Sequence, residues 1–351
     1  MSRRLVFAIP GDLATPSGGY AYDRRMMAEL AALGWQVDHL GLPGQFPEPD
    51  AHAMASVAGQ FGKLPDDALV MVDGLAFGAM PEIARHEAKR LRLVALVHHP
   101  LALETGISEA AAKHLATSER AALTAARAVV VTSPATAATL RRDYGVPQDR
   151  LNVILPGTDR PDPSSPTSAA DGPPLILSVG SLIPRKDHAT LVAALGALLD
   201  LDWHCRIVGS DIQGGGTAAE LKRQIGELGL QSRVELTGAI RDLAAEYRAA
   251  AIFVLASHYE GFGMVFAEAM AHGLPIVACA KGAPEEFVPA EAGARFKPGD
   301  AAGLAAALRG LLADPERRAL AAAASRKAGQ ALPNWPQSAA ALSEILERLA
   351  A

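Results

Sequence analysis

Sulfur and aromatic rings are scarce in this sequence, whose 351 residues include two cysteines and an aromatic share of 5%. Two thiols cannot staple a chain of this size. Cys205 and Cys279 each sit in an apolar run that reads as a buried strand, so both are expected to be small core residues of a reduced compartment. Neither belongs to a Cys/His spacing that would hold zinc. Positive charge is not massed anywhere: the formal net charge is −5 and no long basic block occurs, which argues against nucleic acid as a general partner. No segment reaches the roughly 20 apolar residues needed to cross a bilayer. The opening run LVFAIP reads as a strand, too short for a signal peptide, and the expected location is the cytoplasm or the inner face of its membrane.

Half of the residues are hydrophobic, and the length suits two domains of ordinary size, each with its own core. Strands are expected at Leu5 to Pro10, Gln36 to Leu42, Ala68 to Asp73, Leu93 to Val97, Ala128 to Thr132 and Leu151 to Leu155. Helical stretches separate them, the first from about Tyr20 to Leu33, so the pattern is a doubly wound parallel α/β sheet. The nicotinamide fingerprint G-x-G-x-x-G is missing after the first strand, which discounts a dehydrogenase. The densest cluster of Pro, Ser, Asp and Gly runs from Pro156 to Pro174, and a second alternating unit starts directly after it with LILSVG. Two α/β halves then meet in a cleft, the usual place for a ligand.

The stretch SHYEGFGMVFAEAMAHG, Ser257 to Gly273, carries the chemistry. It follows the apolar strand AIFVLA. Gly261 and Gly263 let the backbone approach a ligand, and the amides of Gly263, Met264 and Val265 have no partner within the helix that begins there, which makes an anion site. Glu260 precedes the turn, and Glu268 lies in a helix that is apolar almost all round, where a carboxylate needs a partner. Alone, these glutamates would read as a dipole-friendly carboxylate and half of a structural ion pair. Earlier in the same half, Arg185 and Lys186 stand after a strand and just before a helix, where a phosphate would meet both cations.

E-G-F-G-x-x-x-x-E from Glu260 to Glu268, together with R-K-D at Arg185 to Asp187, resembles the donor motifs of the retaining glycosyltransferases of family 4 (group 1). The resemblance covers nearly the whole length. It implies a GT-B fold: two Rossmann-like domains facing across a cleft, with a C-terminal helix crossing back to the first. The expected division is 1–158 for the acceptor-side domain, 159–173 for the linker, 174–332 for the donor-binding domain and 333–351 for the returning helix. By the resemblance, Glu260 meets the transferred sugar and Glu268 holds the ribose. Arg185 and Lys186 hold the diphosphate, which the turn amides at Gly263, Met264 and Val265 also face. Gly18 and Gly19 resemble the family's Gly-Gly pair against the donor phosphates. His98 resembles its acceptor-side histidine, with His99 as the fallback and Asp73 as an acceptor-side acid or a strand-end cap. Lys281 to Glu285 resembles the loop at the sugar end.

Arg85, Lys89, Arg90 and Arg92 cluster on an expected helix, Ala84 to Leu93, and read as a solvated face or as a peripheral contact with anionic lipid. The expected activity is transfer of a sugar from a nucleotide-diphosphate donor to a hydroxyl acceptor, with retention of configuration. No cofactor is expected, and no D-x-D pair at a strand end calls for a metal. The alternatives keep the donor site in a GT-B sugar-nucleotide epimerase or hydrolase, or in a non-catalytic nucleotide-sugar-binding module.

Overall fold

The computed structural model describes residues 3–161, 172–212, 215–279 and 282–351. Most of the proline- and serine-rich segment, Gln213 and Gly214 of the glycine loop, and Lys281 lie outside them. The chain divides into two units, Met1–Gly157 with Pro333–Ala351, and Thr158–Leu332.

The first unit holds a six-stranded sheet: β1 (Arg4–Pro10), β2 (Gln36–Leu42), β3 (Leu69–Asp73), β4 (Arg92–Val97), β5 (Ala128–Val131) and β6 (Leu151–Val153), in the order β2-β1-β3-β4-β5-β6. All the pairings are parallel. Such a sheet needs apolar side chains on both faces, and β3 (LVMVD) and β5 (AVVV) are buried at every position. Each fully buried Val, Leu or Phe contributes about 1.5–3 kcal/mol.

The helix Gly18–Ala32 starts two residues before the Tyr20 expected from sequence, because Ser17 accepts a hydrogen bond from the Tyr20 amide and so caps the turn ahead of the glycines. The basic run also differs from its expectation. Its helix ends at Glu87, and Arg92 opens β4. Arg90 turns back onto the carbonyls of Phe61 and Leu64 and onto Glu87, while Arg92 donates to Leu349 O. Two of the four cations are thus engaged by the fold and do not form one face with Arg85 and Lys89. The helix Trp335–Ala350, opened by an Asn334/Gln337 capping box, completes this unit. It buries Trp335, Leu342, Ile345 and Leu346, and Ser343 Oγ accepts from Trp35 Nε1 at 2.9 Å.

The second unit repeats the architecture with β7 (Leu175–Val179), β8 (His204–Val208), β9 (Val234–Gly238), β10 (Ile252–Leu255), β11 (Ile276–Cys279) and β12 (Gly293–Phe296), in the order β12-β11-β10-β7-β8-β9. These pairings are parallel too. Cys205 and Cys279 are buried in β8 and β11. Among the described residues, no helix is long and apolar enough to cross a membrane.

Candidate functional site

In the second unit the site is built where β7 and β10, adjacent in the sheet, release the chain at their carboxyl ends. After β7 the chain makes one tight turn, Pro184–Lys186, and Asp187, at φ 47°, caps the helix His188–Gly196 by accepting from the Thr190 amide and hydroxyl at 3.2 and 2.7 Å. Beneath this turn His188 is fully enclosed against Ser178 Oγ and Gly180 O. Burial pushes the imidazole down to about 4, so it is neutral and structural. The turn therefore presents Arg185 and Lys186 from a rigid base.

After β10, the segment Ser257–Gly263 is laced to that turn. The His258 amide donates to Arg185 O at 2.9 Å, Arg185 Nη1 donates to Tyr259 O at 2.9 Å, and His258 Nε2 lies 3.2 Å from Asp187 Oδ2. The centre is Glu260, 6% exposed. Its Oε1 accepts from Lys186 Nζ and from Ser257 Oγ, each at 2.5 Å, with Arg185 Nη1 at 3.8 Å. Burial alone would raise this carboxyl, but Lys186 and Arg185 outweigh it and hold Glu260 below the usual glutamate range. The carboxylate is ionised at neutral pH.

Two glycines make the backbone path feasible. Gly263, at φ +84°, caps the helix Met264–Ala271 without a side chain, and Gly282, at φ +90°, passes so close that a methyl there would meet Glu260 O at 2.4 Å. The Ala283 amide donates to Glu260 O at 3.0 Å, and Phe262 stacks on Phe287 with centroids 4.8 Å apart. Met264 and Val265 occupy the first turn, where amides have no acceptor in a preceding turn. Gly263 itself is the cap and stands just outside the helix. Glu268, one turn further on, accepts from Tyr247 Oη at 2.7 Å, and Tyr247 is buried and stacked on His272 at 5.2 Å. Burial raises the Glu268 carboxyl against the bond from Tyr247, and Asp159 adds to the rise. The structure thus brings Arg185, Lys186, Glu260, Gly263, Met264 and Val265 into one cluster, with Glu268 farther along the same helix.

In the first unit a second cluster forms at the carboxyl ends of β3 and β4. His98 Nε2 lies 3.3 Å from Asp73 Oδ2 and 3.3 Å from Asp23 Oδ1. Asp73 is also the cap of the short helix Gly74–Phe77, accepting from the Leu75 amide at 2.8 Å, the strand-end cap of its sequence reading. The pair Gly18–Gly19 is adjacent, since a methyl at Gly19 would sit 3.5 Å from His98 Cδ2. His99 goes elsewhere, with Nε2 3.4 Å from Glu104 Oε2. Burial opposes charge on His98, but the two carboxylates prevail and raise its pKa well above the usual histidine range. Asp23, which the sequence analysis did not single out, lies on the buried stripe Tyr22, Asp23, Met26 and Leu30 of the helix Gly18–Ala32. The signal was available: a carboxylate on an apolar helix face is the same oddity that marked Glu268.

Asp23, Asp73 and His98 form the one set of metal-compatible donors among the described residues, all within 4.8 Å of one another. Their geometry, one ring nitrogen 3.3 Å from each of two carboxylates, also suits an ion triad of an imidazolium and two carboxylates.

Two doubly wound parallel sheets, each with its chemistry at the strand ends, define a two-domain GT-B type of α/β protein. A solved sucrose-phosphate synthase from Thermosynechococcus elongatus is similar over 98% of this chain and 99% of that one, with a TM-score of 0.80 and 27% identity. The family description "Glycosyl transferases group 1" matches residues 159–328, and "Glycosyltransferase Family 4" matches residues 69–160. The chain belongs to the group 1, family-4-like glycosyltransferases. It is 33% identical to a D-inositol 3-phosphate glycosyltransferase of Xylanimonas cellulosilytica, over 65% of this chain and 58% of that protein. It is 32% identical to the mannosylfructose-phosphate synthase of Agrobacterium fabrum, over 42% and 37%. The aligned region spans about half the length of these curated relatives.

Proposed function

We propose that the protein transfers a sugar from a nucleotide-diphosphate donor to a hydroxyl acceptor, with retention of anomeric configuration and without a metal. The observation that carries this reading is the buried Glu260 carboxylate joined to Lys186 and Arg185 beside a helix start that no side chain caps. The leaving diphosphate develops negative charge, and two fixed cations with first-turn amides can stabilise it as it departs. Glu260, held ionised, is suited to accept hydrogen bonds from sugar hydroxyls and unsuited to protonate the leaving group. Glu268, oriented by Tyr247, is assigned to the ribose. His98 is assigned to recognition of the sugar or acceptor. Retention is assigned to attack on the face the diphosphate leaves, with the departing phosphate taking the acceptor's proton. The relatives' names carry inositol phosphate, mannosylfructose phosphate and sucrose phosphate, so phosphorylated polyols and sugars are the first acceptors to offer.

Thermal unfolding with UDP, GDP, ADP and TDP, each in Mg²⁺ and in EDTA, tests the donor site. A ligand at about 100 times its Kd adds roughly 2.7 kcal/mol. One base should shift the transition equally in EDTA, and Arg185→Ala should abolish that shift. No shift with any nucleotide, or a shift only in Mg²⁺, refutes the corresponding part of the reading. With the base known, the anomeric configuration of the product tests retention, and steady nucleotide release without acceptor would instead indicate a hydrolase or epimerase.

A further inference from the structure

Asp23 is fully buried, and neither its carboxylate oxygens nor the His98 Nε2 they face has a hydrogen bond of good geometry, so the two groups meet at ion-pair distance. A carboxylate costs several kcal/mol to bury unless a charge compensates it. The group it faces is His98 Nε2, which Asp73 approaches at the same distance from the neighbouring strand end. A ring nitrogen with a carboxylate on either side can satisfy them only as an N–H donor. The rest of the ring is fixed as well: Tyr22 meets it edge-on at 5.1 Å, Gly19 closes on Cδ2, and the His98 carbonyl accepts from Thr132 Oγ1 at 3.2 Å.

We propose that Asp23 is a positioning residue which, with Asp73, clamps His98 Nε2 as a hydrogen-bond donor beside the Gly18–Gly19 helix start and so withdraws that nitrogen from service as a proton acceptor. Its catalytic meaning rests on the proposed transfer reaction; its geometry does not. The charged and titratable groups around the ring come from three elements. Asp23 comes from the helix, as do Tyr20, Tyr22 and Arg24; Asp73 comes from β3, and the neighbouring His99 is already paired with Glu104. Arg24, whose charge also acts on Asp23, donates its hydrogen bonds to the carbonyls of Leu13 and Thr15. A histidine so held offers no Nε2 lone pair to the acceptor's proton, which agrees with the proposed transfer of that proton to the departing diphosphate.

The test is a ¹³C/¹H NMR titration of the histidine Cε1 signals in the full-length protein without substrate, with the His98 resonance assigned by His98→Gln. His98 should remain an imidazolium from pH 6 to 8.5. Asp23→Asn should lower its midpoint by one unit or more, a tenfold change in proton affinity, and Asp23→Glu should restore part of the shift. Asp73→Asn provides a second arm if Asp23→Asn folds poorly. Wild-type titration near pH 6.5, no change in either variant, or a stoichiometric metal ion on the purified protein whose removal restores titration near pH 6.5, overturns the proposal. Because no nucleotide or acceptor is present, the outcome is independent of whether the transferase reading holds. If both stand, the pH–rate profile of Asp23→Asn gains an ionisation in the neutral range that the wild type lacks, whereas a purely structural loss would lower the rate equally at every pH.

Discussion

Lys186→Met isolates the contact on which the cluster of Arg185, Lys186 and Glu260 depends. Lys186 and Glu260 are both largely buried, with side chains 13% and 7% exposed. Removing one partner of a buried pair costs about 3–5 kcal/mol, because the remaining charge is left in a poor solvent. Arg185 at 3.8 Å and Ser257 remain with Glu260, so the expected loss at pH 8 is about 2–3 kcal/mol. The pH dependence follows from the direction of the shift. In the wild type the folded-state pKa of Glu260 lies below the ordinary 4.5, so its contribution is present above that value and is lost only as pH falls through the lower, folded value. Without Lys186, burial has less to oppose it and the folded pKa rises. The penalty is then full at pH 8 and relieved at pH 5, as the carboxylate takes up a proton. Urea unfolding followed by the fluorescence of Trp203, with Trp35 and Trp335 replaced by Phe, reports on the second unit. In a cycle with Glu260→Gln the coupling should exceed about 1.5 kcal/mol at pH 8. A loss under about 0.5 kcal/mol, or one of equal size at both pH values, would refute the reasoning.

Three further outcomes are expected. Glu119 is buried in the helix Glu109–Leu123 and accepts from the Leu101 amide at 3.0 Å; burial pushes it up to about 8 from an ordinary 4.5, so stability falls as pH rises from 4.5 through 8. Glu119→Gln keeps the acceptor and should stabilise the protein by about 1–3 kcal/mol at pH 8 and little at pH 5, and a gain independent of pH would contradict this. Gly263→Ala forces φ +84° on a residue with a methyl 2.8 Å from the Phe266 ring, so it should cost about 1–2 kcal/mol in urea unfolding and weaken nucleotide binding; wild-type stability would count against the geometry. Tyr247→Phe frees Glu268 from its 2.7 Å partner and should raise the donor Kd several-fold by calorimetry while preserving the melting temperature within a few degrees; unchanged affinity would remove Glu268 from the ribose.

The parallel sheets could be read from the sequence because their strands are short apolar runs between helical stretches, a pattern set by burial on both faces. The cluster of Arg185, Lys186 and Glu260 was readable because its residues lie within two short segments, Arg185 to Asp187 and Glu260 to Glu268. Local rules were least reliable where a side chain chose between nearby backbone groups. Ser17 reached the Tyr20 amide and pulled Gly18 and Gly19 into the helix. Arg90 bonded the carbonyls of Phe61 and Leu64 at a point where a continuing helix was expected. Asp23 went unremarked because an acid near a helix start is ordinary. Only tertiary placement, with His98 from 75 residues away in the chain, gives it a partner.

The helix Trp335–Ala350 has a consequence for the order of assembly. It belongs to the same unit as β1 to β6, with Trp335 5.8 Å from Tyr22 and Ser343 bonded to Trp35, yet the whole second unit is threaded between them in sequence. As the ribosome delivers the chain, the second unit is complete before the first receives its last packing element. The earlier-made sheet must wait with a bare apolar strip where Tyr22 and Trp35 will be covered. The half made first is therefore finished last, and in that interval it is the part most exposed to misassembly and most in need of a chaperone's protection.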